Sequence, residues 1–121
     1  MVRSMSDSKR ILIIDDETDL CLLLKEYFQR KKYDVTVSHT LKEGKDFLAA
    51  DTPDILVLDN NLPDGLGWPE APEMALNFPG TYIVLISAFH PARPEMPGNA
   101  KYRVIEKPIS MADLDKQFSG F

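Results

Sequence analysis

The stretch Ile55-Leu56-Val57-Leu58-Asp59-Asn60-Asn61-Leu62-Pro63-Asp64-Gly65-Leu66-Gly67 decides the fold. Four apolar residues run directly into an acidic one, and two asparagines, a proline and two glycines follow. A continuous Ile/Leu/Val run closed by turn residues reads as a strand buried on both faces. Asp59 then stands at the strand's carboxyl end, and that end of an open α/β sheet is where ligands bind.

Upstream, Arg10-Ile11-Leu12-Ile13-Ile14 is a second short apolar run, closed by Asp15-Asp16-Glu17. Leu20, Leu23, Leu24, Tyr27 and Phe28 then follow the i, i+3, i+4, i+7, i+8 pattern of an amphipathic helix. Thr18 or Asp16 is in place to cap it. Arg30-Lys31-Lys32 ends it with the charge that the helix dipole favours, and reads as a solvated helix end. Tyr33-Asp34-Val35-Thr36-Val37 alternates like a half-exposed strand. Thr40-Leu41-Lys42-Glu43 is a capping box that starts a helix running to about Ala50. Its expected inner face is Leu41, Phe47 and Leu48, and Tyr27, Phe28 and Phe47 are expected core aromatics.

Downstream, Pro69 and Pro72 fall where the next helix belongs. Proline suits only a first turn, so a short helix near Pro72 or an irregular start is expected before Phe78. Trp68 beside it reads as a lid or surface anchor, or equally as packing on its own helix. Thr81 to Ile86 is the fourth strand and ends at Ser87. Pro91, Pro94 and Pro97 make the following segment an extended loop with room for one helical turn. Tyr102 to Ile105 is the fifth strand, followed by Glu106-Lys107-Pro108. Ser110 can cap a last helix carrying Met111, Leu114 and Phe118.

This alternation predicts an α/β protein with a parallel sheet and helices on both faces. Five strands favour a flavodoxin-like doubly wound sheet of order 2-1-3-4-5. The fourth helix is expected to be short, irregular or missing. A length of 121 residues suits one domain. Its expected extent is 9–121, behind a disordered polar tail over 1–8 that has no signal-peptide core. A net charge of -5 argues against direct nucleic-acid binding. No stretch is apolar for the roughly 18 residues of a membrane span. Cys21 is the lone cysteine, so no intrachain disulfide forms, and a reducing, cytoplasmic setting is expected with a buried, inert thiol.

In the 2-1-3-4-5 order, Asp15, Asp16, Asp59, Ser87 and Lys107 all converge at one end of the sheet. Carboxylates so close repel one another. A hard divalent cation resolves the conflict, and an all-oxygen donor set suits Mg²⁺. A central aspartate beside Mg²⁺ and an ammonium is a plausible covalent acceptor of a phosphoryl group.

Asp15-Asp16 after a strand, Asp59 with Pro63 and Gly67 behind it, Ser87 after Ile86, and Lys107-Pro108 together resemble the receiver domain of bacterial two-component response regulators. The match runs from about Lys9 to Phe118. The resemblance implies that Asp59 is the phosphoacceptor and Asp16 a direct Mg²⁺ ligand. It implies that Asp15 acts mainly through a metal-bound water and that the backbone carbonyl of Asn61 completes the protein ligands. Ser87 would be the switch hydroxyl and Lys107 the phosphoryl partner, with a cis Lys107-Pro108 bond. The implied partner is a sensor histidine kinase or phosphotransfer protein, with a downstream protein target that the sequence does not identify. The only catalysis implied is of the protein's own phosphorylation and dephosphorylation. Read to its last residue the chain carries no effector domain, which fits a stand-alone regulator or a piece of a longer one.

The sequence departs from the family at two points. The family's switch aromatic lies three residues before the lysine, where Val104 stands here; Tyr102 shares its face, about 7 Å along the strand. The three prolines occupy the family's fourth helix. These departures motivate a second reading, an atypical receiver that acts as an interaction module with altered or no switching. An Asp-nucleophile phosphohydrolase is disfavoured because Asn61 stands where its acid/base would be. A dinucleotide site is disfavoured because no G-x-G-x-x-G follows the first strand. His39 and His90 read as loop histidines.

Overall fold

The computed structural model describes residues 8–121, so the tail expected over 1–8 lies, apart from Ser8, outside the described residues. In chain order the elements are β1 (Arg10–Ile14), α1 (Thr18–Arg30), β2 (Asp34–Ser38), α2 (Leu41–Ala50) and β3 (Ile55–Asp59). A two-residue pair follows, β4 (Asn61–Leu62) with β5 (Gly65–Leu66), then α3 (Ala71–Asn77), β6 (Tyr82–Ser87), β7 (Tyr102–Glu106) and α4 (Leu114–Gln117). The main sheet has the order β2-β1-β3-β6-β7 and every pairing in it is parallel. Counted over its own five strands, that is the expected 2-1-3-4-5.

The strands are buried because the sheet is covered on both sides. On β1, Ile11 and Ile13 enter one apolar cluster with Leu24, Phe28 and Phe118. Leu12 and Ile14 enter the other, with Leu48, Trp68 and Met74. Phe28 anchors the first layer, with edge-to-face contacts to Tyr33, Tyr27 and Phe118 at ring distances of 5.1–5.3 Å.

Several local expectations are corrected. Helix α1 has Glu17 at its N-cap and no side-chain cap, so neither Thr18 nor Asp16 caps it. The Glu17 N–H is instead taken by Asp15 Oδ1 at 2.7 Å. On α2, Phe47 is 40% exposed and is not core. The inward stripe there is buried Gly44 and Leu48 with partly buried Leu41, because Gly44 lies against Ile14; a Cβ at 44 would sit 2.3 Å from Ile14 Cδ1. Bringing the glycine inward turns position 47 out. The Thr40 cap is as expected, its hydroxyl accepting the Glu43 N–H at 3.2 Å.

Helix α3 has the irregular start that the prolines require, a 3₁₀ turn over Trp68–Glu70. The last helix is broken into a 3₁₀ turn, Met111–Asp113, and the four residues of α4. Ser110 stands at the N-cap of the 3₁₀ turn as expected but makes no side-chain cap to the backbone; its hydroxyl donates to the Asp113 carboxylate at 2.7 Å, while Met111 is exposed. Residues 88–101 hold no helix, only a turn at 98–99, and Met96 packs against the second core cluster.

Candidate functional site

The carboxyl ends of β1, β3, β6 and β7 meet at one edge of the sheet. Asp15 follows β1 and is fully buried; Asp16 beside it is exposed. Asp59 closes β3 and is 4% exposed. Carboxylate oxygens of Asp15, Asp16 and Asp59 all lie within 4.8 Å of one another. Lys107 reaches in from the end of β7. Its Nζ lies 2.9 Å from Asp15 Oδ2, 3.2 Å from Glu17 Oε1 and 3.5 Å from Asp59 Oδ2. The peptide bond to Pro108 is cis, as expected.

Electrostatics follow from this crowding. Burial, then the Asp15 carboxylate, push Asp59 up to about 6 against the pull of the Lys107 ammonium. Burial also raises Asp15, outweighing the Glu17 N–H and Lys107. Burial works to lower Lys107, but Asp15, Asp59 and Glu17 outweigh it and hold the ammonium above the usual lysine value. Burial lifts the Cys21 thiol to about 12, as expected for an inert cysteine.

Asp15 Oδ2 is buried and, among the described residues, accepts no hydrogen bond. Lys107 approaches it at ion-pair distance without the alignment of a hydrogen bond. A buried, under-satisfied carboxylate oxygen beside two further carboxylates suits a hard cation with oxygen ligands.

The loop behind Asp59 is tightly closed. Gly67 N donates to Asn60 O at 2.8 Å and Trp68 N to Asn60 Oδ1 at 3.1 Å. Gly67 is required here because a Cβ would lie 2.3 Å from the Asp59 carbonyl oxygen. Asn61 is exposed and pairs with Leu66 in the small hairpin. Asp64 ties that hairpin to α2, accepting the N–H groups of Leu41 and Lys42 at 2.7 and 2.9 Å. Ser87 is buried one residue past Ile86, the register partner of Asp59, and its Oγ accepts the Phe89 N–H at 3.3 Å.

A family model for the response regulator receiver domain matches residues 11–119. The chain belongs to the response regulator receiver family. Response regulator protein PilR of Pseudomonas aeruginosa is 32% identical over 81 residues, which is 67% of this chain and 18% of PilR. The receiver chain thus spans less than a fifth of that relative's length. The response regulator TrrA of Thermotoga maritima in complex with Mg²⁺–BeF superposes with a TM-score of 0.74 at 25% identity, over 90% of this chain and 95% of TrrA. TrrA in complex with the histidine kinase ThkA gives a TM-score of 0.71 at 26% identity, over 90% of this chain and 94% of the matched one.

In this receiver the structure brings Asp15, Asp16, Asp59 and Lys107 together, and sets Ser87 on the adjoining strand. Asn61 stands two residues past Asp59, in the first strand of the small hairpin. Sequence reasoning missed Glu17 as a partner of Lys107, although its place in the acidic triplet was a signal. It also left the role of Trp68 open. Trp68 is 3% exposed, neither lid nor surface anchor, and its Nε1 donates to the carbonyls of Leu58 and Ile86 at 3.2 Å each. With Ser87, Val104 and Glu106 it lines a cavity of about 80 Å³. Val104 is partly buried in the second core cluster, while Tyr102 is 38% exposed. His39 Nδ1 lies 2.9 Å from the Asp15 carbonyl, and His90 pairs with Glu106 at 3.2 Å; neither touches the carboxylate cluster among the described contacts.

Proposed function

We propose that Asp59 accepts a phosphoryl group from the phosphohistidine of a sensor kinase or phosphotransfer protein, and that this changes which downstream protein the domain, over 9–121, binds. The observation that carries this reading is a buried aspartate flanked by two further carboxylates and by the Lys107 ammonium at 3.5 Å. The crystal structures of TrrA with Mg²⁺–BeF and of TrrA with a histidine kinase support it by similarity.

Asp15, Asp16, Asp59 and the backbone carbonyl of Asn61 are the groups that would hold Mg²⁺. Bound there, Mg²⁺ would offset the negative charge of the carboxylates and of the phosphoryl oxygens. Asp59 Oδ attacks phosphorus, a P–O bond forms and the P–N bond to the donor imidazole breaks. The donor imidazole, already protonated on its other ring nitrogen, leaves as neutral imidazole. Lys107, held charged by its three carboxylate neighbours, stabilises charge on the equatorial oxygens. Ser87 Oγ accepts from Phe89 and keeps its own proton to donate to a phosphoryl oxygen. Catalysis is confined to the domain's own phosphorylation and dephosphorylation. A cytoplasmic setting accords with a buried free cysteine, and no helix among the described residues is long and apolar enough to cross a membrane.

The test is mass spectrometry after incubation with acetyl phosphate and Mg²⁺. The wild-type protein is expected to gain the mass of one phosphoryl group, and Asp59→Asn is expected to gain none. An unmodified wild type would overturn the reading.

A further inference from the structure

We propose that Trp68 is a positioning residue for phosphoryl transfer: its indole N–H clamps the ends of β3 and β6 and so sets Asp59 against Ser87. This rests on Asp59 being the phosphoacceptor. The Leu58 carbonyl belongs to the peptide that leads into Asp59, and the Ile86 carbonyl to the peptide that leads into Ser87. Trp68 Nε1 lies 3.2 Å from both. The β3–β6 register ends at the pair Asp59↔Ile86. One more bond, Asn60 N to Ile86 O at 3.3 Å, prolongs the ladder by a residue. At the reacting end the sheet therefore has few bonds left to hold the two strands at a set distance, and the indole adds a donor shared between them.

The other end of the same residue is fastened too. Trp68 N donates to Asn60 Oδ1, and Gly67 N to Asn60 O, so the ring is braced against the residue that follows Asp59. A buried tryptophan usually finds one acceptor for its N–H. Here the N–H is shared by two carbonyls on neighbouring strands, each one peptide from a reacting side chain. Core packing alone would need the ring and not the N–H.

Trp68 is the only tryptophan in the chain. Biosynthetic replacement by benzothienylalanine, which has sulfur in place of the indole N–H and nearly the same ring shape, therefore changes this one position. Trp68→Phe is the genetic counterpart; should it fail to fold, the isostere carries the test. The readouts are the single-turnover rate of phosphorylation by acetyl phosphate, the Mg²⁺ dissociation constant and the melting curve. The expected result is a rate about tenfold lower, the scale of one neutral hydrogen bond, with Mg²⁺ affinity unchanged. A folded isostere that is phosphorylated at the wild-type rate would overturn the clamp and leave Asp59 as acceptor. A loss of Mg²⁺ affinity equal to the loss of rate would also overturn it, because it would place the effect in the loop carrying Asn61. A wild-type protein that takes no phosphoryl group sinks both proposals.

Discussion

Asp15, Glu17 and Asp59 share the Lys107 ammonium, Asp16 adds a third carboxylate beside Asp15 and Asp59, and Asp15 and Asp59 are almost completely buried. Folding without a metal therefore works against ionisation at Asp59. Its carboxyl ionises near 3.8 when unfolded and at about 6 when folded, so the unfolded state loses its proton first. The metal-free protein is penalised fully above the folded value and recovers stability as pH falls from about 6 toward 4. Asp59→Asn removes the penalty. Urea melts in EDTA are expected to show Asp59→Asn more stable than wild type by about 1–3 kcal/mol near pH 7, the difference closing near pH 4. A less stable Asp59→Asn at neutral pH would contradict this account. Lys107→Ala should do the opposite, destabilising by about 2–4 kcal/mol at neutral pH because it leaves buried carboxylates unpaired. The same melts measure it.

Helix α2 shows how an element serves the site from outside it. Gly44 is a poor helix former, and alanine there would ordinarily stabilise by about 1 kcal/mol. Its Cβ would fall 2.3 Å from the side chain of Ile14, which is wholly buried. Gly44→Ala is therefore expected to lose about 1–3 kcal/mol through overpacking, and a thermal melt gives the sign. At its N-terminus α2 is capped twice, by Thr40 from within and by Asp64 from the hairpin that carries Asn61. The two backbone donors hold the Asp64 carboxyl below the usual carboxylate range. Asp64→Ala should weaken this cap, and amide exchange should quicken at Leu41 and Lys42 if the cap is as described.

At the scale of the molecule, one parallel sheet delivers groups far apart in sequence to a single edge, and a cation there should bind only the folded state. Mg²⁺ at about ten times its dissociation constant is expected to stabilise wild type by about 1.4 kcal/mol. Asp16→Asn should lose most of that increment, which calorimetry reads directly. The missing fourth helix bears on what happens next. Residues 88–101 run as a proline-braced loop, with Ser87 before it and Val104 beyond it. Beryllofluoride with Mg²⁺ is expected to alter amide exchange across 88–105. Binding of the reagent with no change there would favour an interaction module without ordinary switching.

The five-strand order and the core strands were legible because buried parallel strands must be continuously apolar, and prolines and capping residues punctuate what lies between. The convergence of Asp15, Asp16, Asp59 and Lys107 was legible for the same reason: each ends a strand or lies within two residues of its end, and parallel strands end together. Phe47 was misread because helical periodicity shows which residues share a face, not how closely that face approaches its neighbour; Gly44 against Ile14 decides that. Thr18 and Asp16 were misread as caps because the local pattern hides competing partners, here Asp15 taking the Glu17 N–H. The role of Trp68 was invisible in sequence, since its acceptors lie 10 and 18 residues away on two different strands. Strand ends, and the chemistry at them, are local properties of the chain. The depth of a helix, the partner of a buried donor and the fastening of one strand to the next are set by distances that only the packed molecule defines.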